Sequence, residues 1–251
     1  MSNERKVVWI TGAGKGIGRA LALRMASEGW LVAASARTAR DLEDLAASAT
    51  GSVHAFPLDV ADVAATGRVI SEIEDRLGLI DVAILNAGTY IPTGVSPFSA
   101  LAFRQQVDVN FMGTVNGLEH LVPRFVSRRR GHIAVMASVA GYRGLPTSAA
   151  YGATKAALIN LCEALRIELE PHDVCVSVIC PGFVKTPLTD RNQFPMPFLI
   201  SAESAADHIV QGLSSRRFEI AFPPLFAAIM KTLRILPAWA YFAIARRLRA
   251  T

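Results

Sequence analysis

The sequence has few cysteines and no long apolar run. Its three cysteines among 251 residues are an odd number without metal-site spacing, so neither a disulfide framework nor a zinc site is expected. They are expected to be free thiols in the reducing cytoplasm. No stretch approaches the ~20 apolar residues of a membrane-spanning helix. The short polar segment 1–6 leads directly into strand-like sequence, so no signal peptide is expected.

Acidic residues are absent from the C-terminal segment 222–251, which contains five basic residues. The whole chain has 26 basic and 21 acidic residues, so the remainder carries 21 of each sign. A neutral body is not the electrostatic footprint of a nucleic-acid-binding protein, and no nucleic-acid partner is expected.

Short apolar runs alternate with helical patterns along the chain and predict an α/β fold. Because strands that are buried on both faces are apolar without alternation, the runs indicate a parallel sheet with helices on both faces. No linker or repeat divides the sequence, so 1–251 is predicted to be a single doubly wound Rossmann domain. Its ligands should bind at the carboxyl ends of the strands. The predicted strands are 7–10, 30–34, 53–58, 80–85, 132–137, 174–179 and 218–222.

A glycine-rich turn follows the first predicted strand and opens a helix. Gly12 would permit the tight turn, Gly16 would let the backbone approach a pyrophosphate, and Gly18 would allow close helix packing. The amino end of the helix would attract the phosphates. A plain turn is the alternative, but the strand before it and the helix after it favour dinucleotide binding. The candidate contacts are Gly12, Gly14, Lys15, Gly16, Ile17 and Gly18.

The spacing T-G-x-x-x-G-x-G resembles that of the short-chain dehydrogenase/reductase family. Further family motifs follow in order along nearly the whole chain, and Leu85 departs from the pattern where many members have asparagine. The resemblance implies hydride transfer between a nicotinamide cofactor and an alcohol or carbonyl. It also implies these further cofactor contacts: Asp59, Val60, Asn86, Ala87, Gly88, Tyr151, Lys155, Pro181, Gly182, Val184 and Thr186.

The catalytic residues implied by the resemblance are Asn110, Ser138, Tyr151 and Lys155. Tyr151 and Lys155 are four residues apart in a helical pattern and should share one face. Tyr151 would be the acid/base, Ser138 would hold the reacting oxygen, and Asn110 would anchor a water chain. An ammonium about 4 Å from the phenol would lower its pKa of ~10 by about three units. The alternative is a protein of the same fold that binds the cofactor but catalyses no reaction, and acts as a sensor or scaffold.

The expected cofactor is NADP(H) rather than NAD(H). An NAD site needs a carboxylate about twenty residues after the glycine loop, and none occurs between Gly29 and Arg40. Arg37 and Lys15 instead suit the 2′-phosphate of NADP(H). A solvated Arg37 with weak selectivity is the alternative.

An apolar segment, 187–213, is predicted to be a substrate loop or lid, which favours a hydrophobic carbonyl or alcohol. A homodimer is expected through helices near 103–125 and 151–170, whose apolar faces need cover. A tetramer is not expected, because apposed tails would bring like charges together.

The segment 223–251 is predicted to be a helical extension of the fold. Apolar residues at helical spacing predict one apolar face, with Lys231 and Arg234 opposite. Such helices suit either an anionic membrane surface or packing against the body or a partner subunit; the sequence leaves both open. The predicted face consists of Leu225, Phe226, Ile229, Met230, Leu233 and Leu236.

Overall fold

The structure is a computed structural model that describes residues 5–191 and 195–249. Within these ranges the strands are Val7–Thr11 (β1), Leu31–Ser35 (β2), Val53–Ala55 (β3), Ile80–Leu85 (β4), Gly131–Met136 (β5), Val174–Pro181 (β6) and Glu219–Phe222 (β7). They form one parallel sheet in the order β3-β2-β1-β4-β5-β6-β7. The predicted doubly wound fold is confirmed.

Helices fill the connections between the strands. A π-helical segment, Val107–Met112, joins the α-helices Ala100–Gln106 and Gly113–Arg128, so the predicted helix 103–125 is not regular throughout. The α-helices are Gly16–Ser27 (α1), Ala39–Ser48 (α2), Val63–Leu77 (α3), Ala100–Gln106 (α4), Gly113–Arg128 (α5), Ala149–Leu169 (α6), Ala202–Ser214 (α7), Pro224–Ile235 (α8) and Ala238–Ala245 (α9).

The strands are apolar throughout because both faces of the sheet are buried. In β1, Val7 and Trp9 belong to one hydrophobic core, together with Phe125 of α5. Val8 and Ile10 belong to the other core, together with Leu21 of α1 and Ile209 of α7. The indole of Trp9 donates to Ser35 Oγ at 2.9 Å, so its polar atom is satisfied within the core.

The direction in which the chain adds strands reverses at β1, which lies between β2 and β4. The connections therefore leave the carboxyl ends of β1 and β4 in opposite directions, and a crevice opens between them. The predicted third strand, 53–58, ends earlier, at Ala55. The amides of Phe56 and Leu58 still donate to Ala34 and Ala36 of the neighbouring chain segment, so pairing continues in irregular form.

The C-terminal helices pack against the body, and the single apolar face predicted for α8 is divided in two. Phe226 and Met230 are buried in the core that contains Trp9, and Leu233 packs against it. Leu225 and Ile229 are exposed. Within the described residues, every helix is too short or too polar to cross a bilayer.

Candidate active site

The glycine loop adopts backbone conformations that other residues rarely adopt. Gly12 and Gly16 have φ values of +67° and +55°. A Cβ atom added to Gly12 would lie 2.8 Å from Cα of Ala87, and one added to Gly18 would lie 2.3 Å from the carbonyl oxygen of Gly12. The loop therefore needs glycine both for conformation and for space.

The loop is tied to the end of β4 by Thr11 and Asn86. The Thr11 hydroxyl accepts hydrogen bonds from the amides of Asn86 and Ala87 at 2.9 and 3.0 Å. The Asn86 amide group donates to the carbonyl oxygens of Thr11 and Gly12 at 2.8 and 3.3 Å. These bonds hold the two sides of the crevice in a fixed relation. Thr186, after β6, reaches the same loop, because its Cγ2 would lie 3.0 Å from a Cβ added to Gly16.

The amino end of α1 is free to bind an anion. Its N-cap is Lys15, which makes no side-chain cap, and the first turn contains no acidic residue. Unpaired amides and the helix dipole there favour a phosphate. Together with the space left by the glycines, this end of the crevice fits the pyrophosphate of a dinucleotide cofactor.

A carboxylate that the sequence analysis missed lies beside the glycine loop. Asp41, in the first turn of α2, forms an ion pair with Lys15 at 3.2 Å. Its Cβ is 3.0 Å from a Cβ added to Gly14. Asp41 directly follows Arg40, the end of the interval that contains no carboxylate. Arg37 is exposed after β2, and its expected contact with the cofactor stays a prediction.

Asp59 and Val60 lie after β3 with different environments. Asp59 is exposed, and its Oδ1 accepts from the amide of Ala61 at 3.1 Å. Val60 is buried, and its Cγ2 would lie 2.6 Å from a Cβ added to Gly113 of α5. Val60 therefore packs under the crevice, and its expected contact with the adenine edge stays a prediction.

Ser138 and Tyr151 meet at the carboxyl end of β5. Ser138 follows that strand, is buried, and lies close enough to Tyr151 of α6 for its hydroxyl to favour a lower pKa of the phenol. Ser138 Oγ also donates to the carbonyl oxygen of Pro181 at 3.3 Å and accepts from the amide of Ala140 at 3.1 Å. Two hydrogen bonds thus fix the position of the serine.

Lys155 is buried one helical turn beyond Tyr151. Its Nζ donates to the carbonyl oxygen of Met136 at 2.6 Å and lies 5.5 Å from the centre of the Tyr151 ring. Burial lowers the pKa of Lys155 to about 8. Burial raises the pKa of Tyr151 to about 12, against the opposing effect of the Ser138 hydroxyl. The expected depression of the phenol pKa is therefore absent in the isolated chain, because desolvation of the phenolate dominates.

Asn110 is buried in the π-helical segment and links three parts of the site. Its Oδ1 accepts from the amide of Thr89 at 2.7 Å. Its Nδ2 donates to the Thr89 carbonyl oxygen at 3.0 Å and to Thr154 Oγ1 at 3.2 Å. Thr154 in turn donates to the carbonyl oxygen of Tyr151 at 2.7 Å. A π segment is rare and often marks a functional site, and here it lets Asn110 connect the β4 loop with α6.

Gly88 brings the β4 loop against the same group. A Cβ on Gly88 would lie 3.4 Å from Asn110 Oδ1 and 3.7 Å from Lys155 Nζ. Tyr90, which the sequence analysis missed, packs edge-on against Tyr151 with ring centres 5.3 Å apart. The four predicted catalytic side chains are thus brought together next to the glycine loop. Among the described residues, no group of three or more metal-binding side chains lies together.

The segment after β6 forms the other wall of the crevice. Gly182 follows Pro181, and a Cβ there would lie 2.6 Å from Phe226 of α8. Val184 is buried and pairs with Ile200 in an isolated bridge. The predicted substrate loop 187–213 is shorter in the structure, since residues from Ala202 onward form α7, which packs on α1. Residues 192–194 of the loop lie outside the described chain.

The family model of the short chain dehydrogenases matches residues 6–195. The chain belongs to the short-chain dehydrogenase family. A Myxococcus xanthus protein named as an oxidoreductase is similar to this dehydrogenase, with 37% identity over 243 residues and 96% of each chain covered. The family match and the glycine-lined crevice both indicate a protein that binds a dinucleotide cofactor.

Solved structures similar to this short-chain dehydrogenase include complexes with either nicotinamide cofactor. A Burkholderia phymatum enzyme in complex with NAD has a TM-score of 0.82 and 26% identity, covering 92% of this chain and 93% of that chain. A Sphingobium yanoikuyae short-chain dehydrogenase in complex with NADPH has a TM-score of 0.79 and 25% identity, covering 93% and 97%. A nicotinamide cofactor is therefore supported.

Proposed function

We propose that this short-chain dehydrogenase interconverts a carbonyl and a secondary alcohol with NADP(H), using Tyr151 as the acid/base. The observation that carries the proposal is the shared position of Ser138, Tyr151 and Lys155 beside the glycine loop. When bound, the nicotinamide supplies or accepts the hydride. The glycine loop and the amino end of α1 would hold its pyrophosphate.

In the reducing direction, the Tyr151 hydroxyl donates its proton to the carbonyl oxygen. Ser138 donates a hydrogen bond to the same oxygen and keeps it near the phenol, which lowers the cost of alignment. The phenolate that Tyr151 becomes is costly in this buried place, because burial raises its pKa to about 12. Protonated Lys155 offsets that cost by its charge, and Asn110 anchors the route by which the proton is replaced.

The preference for NADP(H) rests on Arg37 and Lys15. Lys15 has to leave Asp41 to reach a 2′-phosphate, and this pair is partly exposed, with 64% and 24% of the two side chains accessible. Exposed ion pairs contribute about 0–1 kcal/mol. A charged hydrogen bond to a phosphate contributes about 1.5–3 kcal/mol, so the exchange favours the phosphate.

Aromatic side chains near the end of β6 favour a hydrophobic substrate. Phe226 of α8 contacts Phe183 and Phe198, with ring centres 5.5 and 5.8 Å apart. Phe198 belongs to the loop proposed to cover the substrate, and an apolar ligand would extend these contacts. A cytoplasmic location accords with three cysteines that are buried free thiols.

The decisive experiment compares the wild type with Tyr151→Phe in NADPH oxidation with a panel of apolar ketones and aldehydes. Tyr151→Phe removes the proton donor, so we expect kcat to fall at least about a thousandfold, while NADPH affinity, measured by cofactor fluorescence, changes little. Lys155→Ala should lower kcat and also weaken NADPH binding. A wild type that binds NADPH but reduces no carbonyl would support the sensor or scaffold. Near-normal kcat in Tyr151→Phe would exclude Tyr151 as the acid/base.

A further inference from the structure

The helices α8 and α9 carry apolar side chains on their outer side. In α8, Phe226, Met230 and Leu233 face the core at helical spacing, whereas Leu225 and Ile229, at the edge of the same face, are exposed. Further exposed apolar side chains stand on either side of Pro237, at the end of α8 and in α9. We call this set the outer apolar surface: Leu225, Ile229, Ile235, Trp239, Phe242 and Ile244.

The helix α9 is apolar on every side, yet most of it is exposed. Its eight residues are all alanine, isoleucine or aromatic residues. Only Tyr241 is buried, whereas Trp239 and Phe242 are 77% and 54% exposed, and Ile235 just before the helix is 82% exposed. A helix that is apolar all round is normally buried, and a contiguous exposed apolar patch usually marks an interaction site.

The orientation of α9 is set by contacts with the body of the protein. The Tyr241 hydroxyl donates to the carbonyl oxygen of Gly144. Arg143 donates to the carbonyl oxygen of Leu236 at 3.4 Å and lies 4.5 Å from the centre of the Tyr241 ring. Packing against the body, one of the two alternatives left by the sequence, therefore applies to part of the extension. One side of the extension packs against the body, and the other remains outside.

The basic residues beside the outer apolar surface fall into two groups, one that forms ion pairs with the body and one that does not. Lys231 and Arg234 pair with the body, at Glu219 and at Glu163 respectively. Arg246 and Arg247 follow α9, are exposed, and form no ion pair with the described residues. Segment 222–251 contains no acidic residue, so the free arginines have no acidic partner within it.

We propose that the outer apolar surface docks on an anionic lipid bilayer. Apolar side chains would enter the boundary between headgroups and acyl chains, and Arg246 and Arg247 would pair with anionic headgroups. Trp239 has the amphipathic ring that favours this boundary. A second copy is a poorer partner, because a two-fold contact between these surfaces would bring the arginines of both copies together without acids.

The test is flotation of the full chain with vesicles of phosphatidylcholine alone and of phosphatidylcholine mixed with phosphatidylglycerol. We expect binding to the mixed vesicles to be at least about tenfold stronger and to weaken with added salt. Trp239→Ser/Phe242→Ser should abolish binding. Arg246→Ala/Arg247→Ala should weaken it by about fivefold for each arginine.

Matched control variants remove exposed apolar or basic side chains elsewhere on the protein. Leu79 is an exposed apolar residue at the amino end of β4, so Leu79→Ser should leave vesicle binding unchanged. Lys6→Ala/Arg68→Ala removes two exposed charges away from the extension and should have less than about twofold effect. Thermal unfolding checks that each variant is folded.

Three results would overturn the proposal. One is that the wild type binds neither kind of vesicle, and another is equal binding to both. The third is that folded Trp239→Ser/Phe242→Ser keeps its vesicle binding but changes the oligomeric state in light scattering. That outcome would make the outer apolar surface a contact between subunits.

Discussion

A histidine buried in the sheet should make the fold sensitive to acid. His132 lies in β5 at the end of the sheet opposite the active site and is 8% exposed. Its Nε2 is 2.8 Å from Ser177 Oγ, and that hydroxyl donates its own proton to the Arg217 carbonyl oxygen at 2.6 Å. Ser177 therefore accepts from His132, which fixes the neutral tautomer that carries its proton on Nε2.

Burial lowers the pKa of His132 from 6.5 to about 4, and the charges of Arg216 and Arg166 act in the same direction. Between these two pKa values the unfolded chain binds a proton that the folded chain does not. Above pH 6.5 His132 is neutral in both states and does not reduce the free energy of unfolding. As the pH falls from 6.5 toward 4, protonation of the unfolded chain lowers that free energy. From about pH 7.5 to about pH 5, the free energy of unfolding should fall by about 2 kcal/mol through His132 alone.

The assay is urea unfolding at these two pH values, at one fixed protein concentration. In His132→Gln the side chain still offers an N–H to Ser177 but does not titrate, so the fall with pH should shrink by about 2 kcal/mol. His172→Gln, at a partly exposed histidine, should keep the wild-type dependence. If His132→Gln loses as much stability in acid as the wild type, another group causes the loss and the reasoning fails.

Three further predictions concern the cofactor and the dimer. Arg37→Ala should weaken NADPH binding by about 1.5–3 kcal/mol and leave NADH nearly unchanged, because only NADPH has the 2′-phosphate. Asp41→Asn should tighten NADPH binding about two- to fivefold by freeing Lys15. Both variants are checked by titration with NADPH and with NADH. An equal response of the two cofactors would contradict the assignment of Arg37 and Lys15 to the 2′-phosphate. Ile167 is 74% exposed on α6, and Ile167→Glu should convert the expected dimer to monomer in light scattering, whereas an unchanged mass would place the interface elsewhere.

Asp41, the carboxylate beside the glycine loop, could not be placed in the site from sequence separation alone. The sequence predicted two cations near the cofactor ribose and no acid, because no carboxylate occurs between Gly29 and Arg40. Asp41 enters the site because the first turn of α2 folds back against Gly14. Which charges lie near one another is decided by how that helix packs, and sequence separation does not contain this information.

Local patterns determined much of this protein. Apolar runs predicted the strands, and a glycine loop between strand and helix predicted the dinucleotide crevice. Both depend on residues close in sequence, where backbone geometry leaves few choices. The order of family motifs identified Ser138, Tyr151 and Lys155 as candidates before any distance was known.

Other properties depended on the tertiary structure. The π segment that places Asn110 against Thr154 has no signature in the helical spacing of residues 103–125, because a helix interior can widen only where its neighbours stabilise it. The direction of the Tyr151 pKa shift depends on burial, which the spacing of Tyr151 and Lys155 does not reveal. In α8, periodicity predicted one apolar face, but only packing decided that Phe226 and Met230 enter the core while Leu225 and Ile229 remain outside.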